Sequence, residues 1–108
     1  MYNSQNIFAK ILRKEIPCKT IYEDETIFAF HDINPRAKIH ALVIPKIETV
    51  SFSDFITSNS NEMIGDFFKK VNYVAYDILN LADFRLQINN GANAGQEVFH
   101  FHVHILGN

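Results

Sequence analysis

Three of the chain's five histidines stand in one row. His100, His102 and His104 alternate with Phe101, Val103 and Ile105 in the run from Phe99 to Leu106. Side chains of an extended strand alternate faces, so this spacing sets three imidazoles on one face and the hydrophobes on the other. Imidazole changes charge near neutral pH and serves as base, acid, nucleophile or metal ligand. A solvated face with no task is a poor account of three in strict alternation. Neighbouring members of the row lie roughly 6.6 Å apart by strand rise, so two can reach one zinc ion, with His40 a candidate third ligand. In the catalytic reading the middle imidazole attacks a substrate while its neighbours orient it and handle protons. On the residues alone, metal binding and catalysis stand level.

Two further features favour an anionic substrate. The loop before the row carries Gly91 and Gly95, and glycines let backbone amides approach a phosphate closely. An ordinary hairpin turn explains the same glycines. His40 sits inside Ile39-His-Ala-Leu-Val-Ile44, a mostly buried strand pattern in which a polar residue needs a partner. A phosphate site would use both.

The elements that must carry these residues follow from pattern. Apolar residues at 7, 8, 11 and 12 predict a short helix over 7–14, capped by Asn6 and ended at Ile16-Pro17. Thr20 to Tyr22 and Thr26 to His31 flank an acidic turn and predict a hairpin. A strand over 39–44 stops at Pro45. Helical periodicity from Asn61 to Ala82 predicts the long helix, with Asn59 or Ser60 as cap and Glu62 completing a capping box with Asn59. Arg85 to Asn89 and Val98 to Leu106 complete the strands. The expectation is one α+β domain over 1–108, an antiparallel sheet with one long and one short helix packed on one side.

Bulk properties narrow the partners. The chain has 108 residues, 47% of them apolar, with ten Phe and four Tyr, enough for a compact core. A net charge of −2 argues against a polyanion-binding surface and so against nucleic acid. The single cysteine, Cys18, excludes an internal disulfide and reads as an inert, partly buried thiol. No apolar run approaches the ~18–20 residues of a membrane span, and the N-terminus lacks a signal pattern. A cytoplasmic protein with no membrane association is expected.

The run His100-Phe-His-Val-His-Ile-Leu106 resembles the His-φ-His-φ-His-φ-φ signature (φ, apolar) of the histidine-triad (HIT) family. The segments Gly95-Gln-Glu-Val-Phe99, His31 to Lys46, Ile7-Phe8, Arg13 to Pro17 and Tyr22-Glu-Asp-Glu25 are similar to the family's other motifs. The likeness covers nearly the whole chain and is nearest to the nucleotide-binding, purine nucleoside phosphoramidase branch. It implies a HIT-like fold whose sheets join across a homodimer. It also implies a purine nucleotide substrate of the AMP type and no metal or other cofactor. His102 would attack the α-phosphorus to give a nucleotidyl-histidine, with His40, His100 and His104 assisting. Asp32 takes the place of the ribose-binding carboxylate. Phe8, Ile11, Phe30, His31 and Ile33 take the places that line the base pocket, and Asn89, Gln96, Glu97 and Val98 those around the phosphate and leaving group. A dinucleoside polyphosphate hydrolase, or a nucleotide-binding scaffold with incidental catalysis, is the alternative. Glu97 stands where animal members often carry serine, and the chain ends at Asn108 without the family's usual C-terminal tail, so a more open pocket is expected.

Overall fold

Five antiparallel strands form a single sheet in the order β1-β2-β3-β5-β4. They are β1 (Thr20–Glu23), β2 (Ile27–His31), β3 (Ile39–Pro45), β4 (Phe84–Gln87) and β5 (Val103–Gly107). This computed structural model describes residues 1–108. None of its helices is long and apolar enough to cross a membrane.

The helices divide between the two faces of the sheet. Helix α1 (Ile7–Leu12) starts where the Asn6 side chain accepts from the Ala9 amide. It ends two residues earlier than expected, because Lys14 takes a left-handed conformation (φ 64°) before Pro17 is reached. The Lys14 ammonium is anchored 3.1 Å from Glu23 and over the ring of Phe28. Phe8 and Ile11 of α1 pack on Phe28, Phe30, Leu42 and Ile44. The opposite face holds the larger core, where Ala29, Val43, Val103 and Ile105 meet Phe55, Phe67, Val71, Val74 and Ala75. The expected packing of helices on one side is therefore corrected. Strand residues of β3 alternate in burying both ways, so each face needs its own cover.

That second cover comes from α2 (Phe52–Ser58), which periodicity did not reveal, and α3 (Asn61–Asn72), which runs on as π-helix through Tyr73–Ile78. A seven-residue helix spans barely two turns, too short for a visible period. Ser60 caps α3 through the Met63 amide, while Asn59 turns back to donate to the Phe55 carbonyl at the end of α2. The capping box between Asn59 and Glu62 does not form. The helical run closes at Asn80, whose left-handed φ of 57° is one that asparagine tolerates. Phe101 lies stacked on Phe55 with ring centroids 4.9 Å apart, which pins the histidine segment to this core.

The final strand begins at Val103, five residues later than predicted. The ladder pairs Ile39 with Gly107, Ala41 with Ile105 and Val43 with Val103. Continued by one more pair it would set Pro45 against Phe101, and proline has no N–H to offer. The Phe101 amide donates instead to the Thr49 carbonyl. His100 and His102 thus sit on irregular backbone, and only His104 lies within the strand.

Candidate active site

Strand β3 carries His40, and β5 carries His104 next to it on the face that α1 covers. Both rings are buried, with His40 Nε2 and His104 Nδ1 2.9 Å apart. The Arg36 amide donates to His40 Nδ1, so neutral His40 carries its proton on Nε2. That proton is shared between His104 Nδ1 and the Asp32 carboxylate 3.3 Å away. His104 is left with its own proton on Nε2. The other oxygen of Asp32 accepts from the Asn34 amide in an Asx-type turn.

His102 is fixed by a different rule. Its Nδ1 lies 2.8 Å from the His100 carbonyl, and a carbonyl oxygen only accepts. Nδ1 therefore carries the proton and Nε2 keeps its lone pair. The ring stands edge-on to Phe8 at 4.9 Å and to His104 at 5.0 Å. Burial lowers its pKa, so the imidazole is neutral at pH 7.

His100 faces away from the other two. It is fully buried, its Nε2 donating to the Pro45 carbonyl at 2.7 Å and its Nδ1 accepting from the Tyr2 hydroxyl at 2.6 Å. Burial, with a smaller contribution from the neighbouring His102, pushes His100 and His104 down to about 4. Burial likewise lowers His40. Every buried side-chain nitrogen and oxygen has a partner, so the four histidines form a satisfied neutral network.

A cleft of about 730 Å³ opens in front of this network. His102 and His104 form part of its wall. Phe8, Ile11 and Phe30 supply a buried apolar side, and His31, Asp32 and the largely exposed Ile33 a second rim. Asn89, Glu97 and Val98 lie on the remaining side. His40 and His100 do not reach the cleft, and His40 borders an adjoining depression with Asp32.

Gln96 departs from its expected place. It is buried behind the loop, with Oε1 accepting from the Gly91 amide and Nε2 donating to the Val50 and Val98 carbonyls. The glycine loop is also an ordered turn. Gly91 and Gly95 have φ of 96° and 95°, and the amides of Ala94, Gly95 and Gln96 are bonded to Gly91 and Ala92 carbonyls. Those amides serve the loop itself, which sets Gly95 and Ala94 against the cleft.

Several site residues carried no signal in the sequence. Tyr2, Pro45 and the Arg36 amide reach the histidines through contacts that no local pattern encodes. Cys18 and Gln87 line the cleft although neither belongs to a motif. The cluster of Asp32, His40 and His104 has ligand atoms within 4.8 Å of one another, the donor set a small cation would use. His102 stands outside that set.

Relatives match this chain over almost their full length. A HIT domain model matches residues 13–108. An uncharacterised HIT-like protein of Rickettsia prowazekii is 46% identical over 99% of this chain and 90% of its own. A solved HIT family hydrolase of Clostridium thermocellum superposes with TM-score 0.87 at 41% identity, covering 98% of this chain and 92% of its own. A histidine triad protein of Clostridium difficile gives TM-score 0.85 at 34% identity, over all of this chain and 94% of its own. With a family model over most of its length and relatives matched almost end to end, the chain belongs to the HIT domain family.

Proposed function

We propose that this protein is a nucleotide-binding hydrolase that cleaves purine nucleoside 5'-phosphoramidates, or acyl-nucleotides, through a nucleotidyl-histidine on His102. The observation that carries the reading is the 2.8 Å contact of His102 Nδ1 with the His100 carbonyl. It leaves Nε2 unprotonated on a residue that lines the cleft. A neutral imidazole in that state attacks phosphorus without first losing a proton.

In the first half-reaction the Nε2 lone pair forms the bond to phosphorus. The P–N bond breaks with its electrons leaving on nitrogen, which takes a proton and departs as the amine. His104 supplies that proton from Nε2. Burial holds it neutral in the free protein, and the negative phosphoryl group of bound substrate raises its pKa, so that it takes up a proton at Nδ1 while His40 turns its Nε2 proton to Asp32. The nucleotidyl-imidazolium keeps its Nδ1 proton on the His100 carbonyl, which stabilises the positive charge. Water then attacks phosphorus, the P–N bond to His102 breaks with its electrons returning to Nε2, and the water proton goes to His104. The products are the amine and the nucleoside monophosphate.

The apolar side formed by Phe8, Ile11 and Phe30 suits the faces of a purine, and Asp32 at the rim suits ribose hydroxyls. Glu97, exposed on the opposite side, favours a cationic amine as leaving group. A two-fold homodimer of single-domain chains is part of the proposal. Strand β4 lies at a sheet edge with Leu86 exposed, and Tyr73 and Tyr76 are exposed on the helical run. The proposed setting is the cytoplasm.

The test is steady-state hydrolysis of an adenosine 5'-phosphoramidate, with and without EDTA, wild type beside His102→Ala. EDTA-resistant turnover that the variant loses supports the reading. Failure of the wild type to turn over while AMP still binds refutes the phosphoramidase assignment and directs the search to dinucleoside polyphosphates.

A further inference from the structure

We infer that the Tyr2 hydroxyl is a positioning group for His102, acting through His100; the inference builds on the hydrolase reading. Tyr2 lies near the start of the chain, ninety-eight residues from its partner, yet its oxygen is 2.6 Å from His100 Nδ1. The rings meet edge to face with centroids 5.6 Å apart. The segment that carries Tyr2 is held in place by Arg13, which donates to the Ser4 carbonyl, and by Asn6, which donates to the Asn3 carbonyl.

The proton assignments leave no alternative. The Pro45 carbonyl accepts only, so His100 donates from Nε2, and its Nδ1 lone pair must accept. The sole donor at that nitrogen is the Tyr2 hydroxyl. With both ring nitrogens engaged, the His100 ring is clamped between Tyr2 and Pro45. Its backbone carbonyl, which holds the Nδ1 proton of His102, is thereby kept in register. Tyr2 touches neither the cleft nor the substrate position.

Removing the hydroxyl acts on protons and geometry together. In Tyr2→Phe the phenyl ring keeps its packing, but His100 Nδ1 becomes a buried acceptor without a donor. It can then bind a proton, and an imidazolium at His100 opposes the positive charge that develops on His102. The other ionisable groups near the pair are Glu48 beyond β3 and Arg13 at the end of α1, both sensed by Tyr2, with His102 beside His100.

The test compares wild type, Tyr2→Phe and Tyr2→Leu by two measurements on the full chain. Imidazole ¹⁵N spectra report tautomers directly. Wild type should show His100 protonated on Nε2 alone and His102 on Nδ1 alone, and Tyr2→Phe should add protonated or exchanging His100 and a mixed His102 signal. With adenosine 5'-phosphoramidate, kcat should fall about tenfold, with KM unchanged and the acid limb moved to higher pH. Tyr2→Leu should match Tyr2→Phe if the hydroxyl is what matters, and be worse only in thermal stability. Unchanged imidazole signals in Tyr2→Phe overturn the inference, even if activity falls. If wild type has no phosphoramidase activity, the spectra still decide the role of Tyr2, and only the hydrolase reading fails.

Discussion

His40 Nε2 and His104 Nδ1 stand 2.9 Å apart, and the Arg36 amide donates to the remaining nitrogen of His40. One backbone N–H thus determines the tautomers of two side chains on neighbouring strands. Asp32 and His104 both border the cleft and His40 lies buried between them, so in the proposed mechanism the three act as a proton relay. His40→Ala removes the middle member and leaves His104 Nδ1 without a donor. The expected result is a fall in kcat of about 100-fold, the low end of what a proton-handling group contributes. Stopped-flow or steady-state rates check it, and a variant with wild-type kcat would remove His40 from the relay.

Acid should destabilise the protein. Burial holds His100 and His104 at about 4, below the unfolded value of 6.5. Between these pH values the unfolded chain binds more protons than the native one, so stability decreases as pH falls. The contribution is complete above about pH 6.5 and is lost as pH drops through about 4. Thermal melts from pH 8 to pH 4 should show a steady decline beginning near the upper value. Stability that rises toward pH 5 would contradict the neutral network.

Gln96→Ala should loosen the loop that borders the cleft. Three hydrogen bonds of a buried amide are lost at once, leaving the Gly91 amide without its side-chain acceptor. A cost of about 1–3 kcal/mol is expected, together with a raised KM because Gly95, Glu97 and Val98 move with the loop. Denaturant melts and substrate titration separate the two effects. A variant as stable as wild type would show that water replaces the amide.

Phe55→Ala tests the support behind the histidine segment. Phe55 is stacked on Phe101 and packed against Phe67, so its truncation opens a cavity at the centre of the larger core. The expected loss is about 3–5 kcal/mol, read from urea midpoints.

Added zinc should inhibit. Asp32, His40 and His104 present donor atoms within 4.8 Å of one another, and an ion held there would occupy the nitrogens that the relay uses. EDTA should restore the rate, and His102→Ala should bind the ion as well as wild type does. Activation by zinc would instead favour a metal-assisted reaction.

The alternation of residues 100–105 pointed to the candidate site, and His40 stood out as a polar residue in a buried strand. The hairpin, β3 and the start of α3 were legible because period and turn chemistry act over a few neighbours. Helix α2 was hidden by its brevity, and the split of the helices between two faces depends on which strand residues meet which cover. The strict alternation also misled in one respect, since Pro45 ends the ladder and turns His100 out of the row. Tautomers were beyond any local pattern. They are set by the Tyr2 hydroxyl, the Pro45 and His100 carbonyls and the Arg36 amide, of which two, from Tyr2 and Pro45, lie far in the chain from the ring they bind. Residue type and spacing determined which groups were available for catalysis. Which nitrogen of each histidine holds a proton was decided only by tertiary structure, because hydrogen-bond partners across a sheet are chosen by register and packing.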